Sequence, residues 1–337
     1  MIQPRDRLYD MISGYRVTQL VRAAALLRIP DALSRGPRQP ADVALEVNAD
    51  AGLLRRLMRA LAGFGVLEEL EDGRFSNTEL GSLLREDAAG SMRSFAIGLS
   101  DQPWWKAWAE LPSGLSGMTT PFQLALGRSF WEEASAGTAT AERFNAYMAA
   151  GTGAFVPELL GAFDFAGCGH VVDVGSGKGA LVAGILSAHR SMRATLFDRA
   201  EGFEDADAFL RERGVRDRCD IVTGSFFDSV PPSGDTYILR LILHDWPDEQ
   251  AREILSNCRS AMQTGARLLV IDHILPERAV DAPRERRALM TDMHMHVLFG
   301  ARERTEGELR QMLSGAGFEV ERVVPTSPTS TVIARAA

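Results

Sequence analysis

Three side chains in the second half of the chain have the types and settings for proton transfer. His244 follows the apolar run Leu241-Ile242-Leu243 and precedes Asp245-Trp246-Pro247. An imidazole, with an ordinary pKa of ~6.5, is suited to accepting a proton near neutrality. Asp272 closes Leu269-Val270-Ile271, and Glu303 lies in Arg302-Glu303-Arg304-Thr305 just after Gly300. Either acid could orient the imidazole and stabilise its charged form. A lone histidine beside a helix start is more often structural. Two acids at expected loop positions turn the reading toward chemistry.

A second motif lies upstream, in His170-Val171-Val172-Asp173-Val174-Gly175-Ser176-Gly177-Lys178-Gly179. The β-branched run reads as a buried parallel strand, and Leu181 to Leu186 as the helix after it. Glycines at 175, 177 and 179 allow a sharp turn and a close approach of backbone to ligand. A ligand would sit at the carboxyl end of this first strand of an open α/β sheet. Gly175-x-Gly177-x-x-Ala180 fits a dinucleotide fingerprint, with Asp198 where a ribose-binding acid belongs. Asp198 closes Thr195-Leu196-Phe197 and could accept from both ribose hydroxyls, or merely cap the next helix. After the third expected strand, Gly224-Ser225-Phe226-Phe227 offers a ring to stack on adenine and a hydroxyl to bond its edge. The alternative for both phenylalanines is the core.

The elements that must hold these residues follow from pattern. Expected strands are 170–174, 194–198, 219–223, 235–240 and 266–272, alternating with helices. Phe318 to Val324 and Ser330 to Ala334 form a closing pair. That is a doubly wound α/β sheet with an antiparallel edge. Before it, residues 8–34 read as a helix with Leu20, Val21, Ala24, Leu27 and Ile29 on an apolar face. Helices from Pro40 and after Asp50, then a hairpin around Glu71-Asp72-Gly73-Arg74, give the order of a winged helix. Its acids, Glu68, Glu69, Glu71 and Asp72, would face phosphate unfavourably. Residues from Met92 to about Ala154 stay helical and carry Trp104, Trp105, Trp108, Phe122, Phe130 and Trp131, as core or as walls for a planar substrate.

Composition narrows the class. The 337 residues are 45% hydrophobic, enough for a sizeable core, and carry a net charge of −8, which disfavours a nucleic-acid partner. No apolar run approaches transmembrane length and no signal-peptide pattern opens the chain, so the expected setting is cytoplasmic, without a membrane partner. Cys168, Cys219 and Cys258 are too scattered for a disulfide framework or a zinc site, and no carboxylate cluster calls for a metal.

Taken together, these segments resemble the S-adenosylmethionine-dependent O-methyltransferases of the plant caffeic-acid type and the bacterial polyketide and phenazine type. The likeness spans nearly the whole chain: winged-helix start, helical middle, glycine motif, His244-Asp245-Trp246 and Arg302-Glu303-Arg304-Thr305. Asp173 two residues before the first glycine, and the third glycine at 179, fit that family better than a dinucleotide enzyme. A nicotinamide oxidoreductase and a winged-helix regulator are the readings it displaces.

The resemblance implies a Rossmann-like class I methyltransferase sheet behind an N-terminal winged-helix dimerisation domain. Its expected divisions are 1–100 for dimerisation, 101–155 as a helical connector lining the acceptor pocket, and 156–337 for the methyltransferase. It implies S-adenosyl-L-methionine as cofactor, with S-adenosyl-L-homocysteine as product. Asp173, Gly175, Ser176, Gly177, Gly179, Asp198, Ser225, Phe226, Phe227 and Arg240 would hold it. His244 is implied as general base, supported by Asp272 and Glu303. Phe144, Met148, Asp245, Met295 and Phe299 would touch a small aromatic acceptor carrying a hydroxyl or N-hydroxyl. The partner implied is a second copy of the chain. Two positions depart from the family pattern: Ser225 replaces a common Asp and cannot offer a carboxylate, and Ser176 replaces a Gly.

Overall fold

The computed structural model describes residues 3–203 and 205–337. They form two compact units, each with its own core. The first holds the chain up to Trp105 together with Ala139–Ala150; the second holds Lys106–Thr138 and Gly151–Ala337. The boundary therefore runs through the expected connector 101–155 rather than around it. Side-chain partners give the reason. In the first unit, Asp101 accepts from Arg22 at 3.3 Å and pairs with Arg143 at 2.7 Å. In the second, Phe130 packs on Phe299 with centroids 4.6 Å apart.

The first unit opens with helix α1, Pro4–Leu26. The expected single helix 8–34 is broken: Arg28 adopts a left-handed φ of 57°, and a short turn Ile29–Ala32 follows with Pro30 near its start. Helices Pro40–Val47 and Ala51–Gly63 come next, the latter capped by Asp50, whose carboxylate accepts from Leu53 N at 2.8 Å. Strands β1 (Leu67–Glu69) and β2 (Phe75–Asn77) pair antiparallel as the wing. Glu68, Glu69, Glu71 and Asp72 are exposed on it.

The apolar face of Leu20, Val21, Ala24, Leu27 and Ile29, the expected contact with a second copy, turns inward instead. Ala24 and Ile29 are fully buried, and Leu20, Val21 and Leu27 pack on the same cluster with Met58, Leu61 and Phe75. That face of α1 is spent on the unit's own core. The apolar stripe left outside lies nearer the N-terminus: Leu8, Met11, Ile12 and Tyr15 are 57, 71, 67 and 51% exposed. Their spacing of i, i+3, i+4, i+7 places them along one side of the helix.

The second unit is a seven-stranded sheet. In chain order the strands are β3 (His170–Val174), β4 (Arg193–Asp198), β5 (Cys219–Thr223), β6 (Thr236–Arg240) and β7 (Arg267–Asp272). Two short strands, β8 (Ile274–Leu275) and β9 (Arg304–Thr305), pair parallel with one another outside the sheet. Strands β10 (Phe318–Pro325) and β11 (Ser330–Ala336) complete it. The order is β10-β11-β7-β6-β3-β4-β5, with β11 antiparallel to both neighbours and the other pairings parallel.

Alternation along each strand feeds two cores. Val171, Ile238 and Leu269 face one, with Leu181 and Ile185 of the helix Ala180–Ala188. Val172, Val174, Leu239 and Val270 face the other. There they meet Ala251, Ile254, Leu255 and Cys258, which recur along the helix Asp248–Ala261 at 3.6-residue spacing. Full burial of each such leucine or isoleucine contributes about 1.5–3 kcal/mol.

The chain goes outward from β3 to β4 and β5, then returns to the other side of β3 as β6. The switch point is thus at the carboxyl ends of β3 and β6, where such sheets place ligands. Among the described residues no helix is long and apolar enough to cross a membrane.

A packing test follows from Gly81, in the short turn after the wing. A Cβ there would stand 2.0 Å from the carbonyl oxygen of Val66, a backbone atom that cannot swing away. Gly81→Ala should destabilise the protein by about 1–3 kcal/mol, the usual cost of overpacking. Urea unfolding followed by circular dichroism checks it; a midpoint equal to wild type would show that the wing yields freely.

Candidate active site

The carboxyl edge of the sheet gathers side chains from strands far apart in sequence. Leu243–Asp245 form a single 3₁₀ turn just past β6, and His244 in it is 6% exposed. Its Nδ1 lies 2.7 Å from Glu303 Oε1, and its Nε2 lies 3.4 Å from Asp245 Oδ1. A carboxyl oxygen at this distance accepts, so the Nδ1 proton points to Glu303. Glu303 is itself fixed, because its backbone N–H donates to Asp292 Oδ1 at 2.9 Å. Asp272, closing β7, is 3% exposed, and its Oδ1 is buried without a hydrogen-bond partner. It acts on His244 through charge, whereas Glu303 grips the ring.

Burial alone would lower the pKa of His244. The charges of Glu303 and Asp245 and the Glu303 hydrogen bond outweigh it and push the imidazole up to about 10. Burial works the other way on the acids: Asp245 and Asp272 are each pushed up to about 7, against the pull of His244.

Arg304 sets the frame for this turn. It is 2% exposed and donates to the carbonyls of Leu243 at 2.8 Å and Trp246 at 2.9 Å. Its remaining donors reach Asp248 Oδ1 at 3.1 and 2.9 Å. His244 and Asp245 sit between those two carbonyls. Thr305 then caps the next helix in a reciprocal box with Glu308.

At the glycine turn, Gly175 N–H donates to Phe197 O at 2.8 Å, which ties the turn to β4. Gly175, Gly177 and Gly179 have φ of 77°, 53° and 84°. A Cβ at 175 would meet Ile242 at 2.3 Å, and one at 179 would meet Leu196 at 2.4 Å, whereas 177 faces open space. Ser176 Oγ makes a long contact to Gly177 O at 3.4 Å.

The two acids flanking this turn differ. Asp198 accepts from Gly177 N at 2.7 Å and from Arg199 N at 2.7 Å, using one lone pair on each oxygen. Asp173 is 3% exposed and makes no hydrogen bond through its carboxyl among the described residues. Burial pushes it up to about 7, with Arg240 pulling it down. Arg240 donates to Thr152 Oγ1 at 2.9 Å and lies over the Phe155 ring.

The aromatic residues divide. Phe226 reaches within 4.0 Å of a Cβ built on Gly175 and so flanks the turn. Phe227 packs edge-on against Trp246, with centroids 4.7 Å apart, closer than the 6.0 Å of Phe226. Ser225 Oγ accepts from Phe227 N at 3.2 Å, a local turn. Trp246 in turn stacks on Trp131 at 5.4 Å, and Trp131 on Phe299 at 5.2 Å. Phe299 is thus one member of an aromatic column. Met295 is buried on the same helix, Pro283–Phe299. Phe144 and Met148 belong to the first unit, where Phe144 meets Trp104 edge-on at 6.1 Å.

No spacing in the sequence marks Asp292 or the clamp made by Arg304, and His294 carries no signal beyond its place in the stretch Met293 to Phe299, which the family likeness makes a pocket wall. Among the described residues no group of three or more His, Cys, Asp or Glu is arranged to hold a metal ion. A cleft of about 700 Å³ opens instead among Asp248, Arg252, Arg302 and Glu308, away from His244, and none of the expected site residues lines it.

A sheet of this order, with a glycine turn after β3 and an acid ending β4, defines an S-adenosylmethionine-dependent methyltransferase. The chain belongs to the O-methyltransferase family: residues 108–319 match the O-methyltransferase domain and residues 9–87 the O-methyltransferase dimerisation domain. It is 37% identical to the phenazine O-methyltransferase PhzM of Lysobacter antibioticus, over 97% of this chain and 94% of that one. The crystal structure of LaPhzM superposes with a TM-score of 0.91 at 37% identity, covering both chains fully (100% each). The O-methyltransferase NcsB1 from neocarzinostatin biosynthesis, solved with S-adenosylmethionine and 2-hydroxy-5-methyl naphthoic acid, has a TM-score of 0.78 at 30% identity over 95% of this chain and 96% of that one.

The raised His244 predicts how stability depends on pH. A group whose folded pKa is raised contributes stability that is whole below its unfolded pKa, ~6.5, and is lost as pH rises through about 10. Asp245 and Asp272, also raised, add a slope of the same sign between about 4 and 7. The unfolding temperature of wild type should therefore fall from pH 7 to pH 10. Glu303→Gln, which removes the charge that raises His244, should flatten that fall; an unchanged slope in differential scanning fluorimetry would contradict the assignment.

Proposed function

We propose that this enzyme methylates an aromatic hydroxyl or N-hydroxyl of a small secondary metabolite, of polyketide or phenazine type, with His244 as general base. The observation that carries this is the buried 2.7 Å contact of His244 Nδ1 with Glu303. It leaves Nε2 as the nitrogen that takes the proton. Asp245, 3.4 Å from that nitrogen, is positioned to meet the hydroxyl arriving there.

The cofactor, when bound, supplies a methyl group on a sulfonium. Toward that cationic molecule the residues present fit well. Asp173 is a buried acid with no hydrogen-bonding partner for its carboxyl among the described residues and would hold the ammonium of the methionine end. Asp198 has one lone pair on each oxygen left for ribose hydroxyls. Gly175, Ser176, Gly177 and Gly179 leave room for close approach, Phe226 would cover the adenine, and Ser225 and Arg240 complete the set. Phe227 is assigned to the core. Asp245, Met295 and Phe299 are the acceptor contacts proposed here, and Phe144 and Met148 are added on the family likeness alone.

The pairing with Glu303 bears directly on the proton. An unperturbed histidine lies ~3.5 units below a phenol, so transfer would be uphill by about 5 kcal/mol. The charge and hydrogen bond of Glu303 raise His244 toward the phenol range and so reduce that cost. His244 Nε2 would take the hydroxyl proton as the oxygen is methylated, the C–S electron pair leaving with the thioether product S-adenosyl-L-homocysteine. Burial around the ring keeps water from competing for either.

Two experiments test this reading. His244→Ala should lower turnover by ~10²–10⁴-fold, the usual contribution of a positioned base, while calorimetry shows near-normal cofactor affinity. In wild type kcat/KM should rise with pH on its acid side, and Glu303→Gln should move that limb to lower pH as the maximal rate falls. A variant at position 244 that keeps wild-type turnover on a high-pKa phenol would place the base elsewhere.

The dimerisation domain supports a homodimer, proposed here as cytoplasmic, with the stripe Leu8, Met11, Ile12 and Tyr15 against a second copy. The reducing compartment suits its three free cysteines. An obligate interface is large and apolar, so two buried charges should break it. Met11→Asp with Ile12→Asp should shift the mass in light scattering at micromolar concentration from two chains to one; a mass of two chains in that variant would exclude the stripe.

A further inference from the structure

His294 lies on the helix Pro283–Phe299, two residues from Asp292, whose carboxylate fixes the backbone of Glu303. Trp108 Nε1 is 3.1 Å from His294 Nδ1, with the two ring planes 13° apart. An indole nitrogen can only donate. Nδ1 therefore accepts and carries no proton, and the ring is neutral with its hydrogen on Nε2. Burial, and after it the charge of His244, agree with that: they push His294 down to about 4. The atom Nε2 has no hydrogen-bond partner among the described residues, yet it is not among the sealed and unpartnered ones. The structure thus holds an uncharged donor of fixed tautomer that feels the charge of His244 and has no hydrogen-bond partner among the described residues.

We infer that His294 Nε2–H binds an oxygen of the acceptor, a carbonyl or carboxylate flanking the hydroxyl to be methylated, and that Trp108 is the positioning residue that locks it as a donor. The inference deepens the methyl-transfer reading above and rests on it. A cation at this place would repel the proton that His244 takes up; a neutral N–H orients the substrate without that penalty. A donor with no partner also selects. An acceptor lacking the flanking oxygen leaves the N–H unpaired on desolvation, and that loss is larger than the gain from a good bond. The acceptor class is therefore the hydroxy-arene with an oxygen acceptor at the neighbouring position, rather than the simple phenol. His294 is a binding residue in this scheme, and the proton of the reaction does not pass through it.

The test compares 3-hydroxy-2-naphthoate with 2-naphthol, using the full-length enzyme and S-adenosylmethionine. Wild type should prefer the naphthoate by at least 10-fold in kcat/KM. His294→Leu should lose 10–100-fold more on the naphthoate than on the naphthol, mostly in KM. His294→Gln, which keeps a donor, should recover part of the preference. Trp108→Phe should give an intermediate loss, because the freed ring samples both tautomers. Equal losses on the two acceptors, no rescue by glutamine, or a wild type indifferent to the carboxylate would each overturn the assignment. Cofactor binding in calorimetry with no turnover of either compound would also overturn it, by excluding the acceptor class. Failure to bind S-adenosylmethionine at all would instead remove the methyl-transfer reading itself.

Discussion

The chemistry of this site depends on one buried guanidinium. Arg304 has no contact with His244, yet it holds the carbonyls on either side of the turn that carries it, those of Leu243 and Trp246, and anchors both to Asp248. An arginine in water loses much solvation on burial, and it is tolerated here because every side of the fork finds an acceptor. The residue before it in sequence is Glu303. One dipeptide therefore fixes the histidine's backbone and its ring, and the distance between those two constraints is set by covalent geometry rather than by packing.

Around that frame the site collects more acid than it can ionise. Asp245, Asp272 and Glu303 surround a single imidazole, with Asp292 on the backbone behind them. Burial resolves the excess by keeping two of the three carboxyls partly protonated near neutrality. Glu303 is the acid with the shortest bond to the ring. The arrangement resembles a charge-orienting pair more than a row of equal acids, and it makes the basicity of His244 sensitive to anything positive that enters. The binding of a sulfonium beside it would lower that basicity at the moment the base is needed in its neutral form.

Much of this was readable from residue order, because the physics involved is local. Apolar runs ending in Asp173, Asp198 and Asp272 fixed the strands and told which ends face the ligand. The glycines at 175, 177 and 179 required a turn that only positive φ allows. What escaped were matters of direction. Periodicity showed that α1 has an apolar face but not that this face is consumed internally, since an intramolecular core and a dimer interface ask for the same residues. Either Phe226 or Phe227 could have flanked the turn; both pack on Trp246, and only the approach of Phe226 to Gly175 separates them. Trp108 and His294 lie 186 residues apart, and no spacing rule joins them. The connector 101–155 divided because Asp101 found arginines in one unit while Phe130 found aromatic partners in the other.

The two short strands outside the sheet have a consequence for how such an enzyme changes over evolutionary time. Ile274 and Leu275 pair with Arg304 and Thr305, so the chain leaves the site after Asp272, runs through the helix Pro283–Phe299, and returns to be stitched beside its own departure point. Everything between 276 and 302 is a loop with fastened ends. Mutation within it, at positions other than Asp292 and Arg302, can redraw the surface offered to the acceptor, His294 included, without loosening the strand that ends in Asp272 or the dipeptide that holds the histidine. Selectivity and catalysis thus become separately heritable traits, and a lineage can acquire a new substrate by rewriting about one helix.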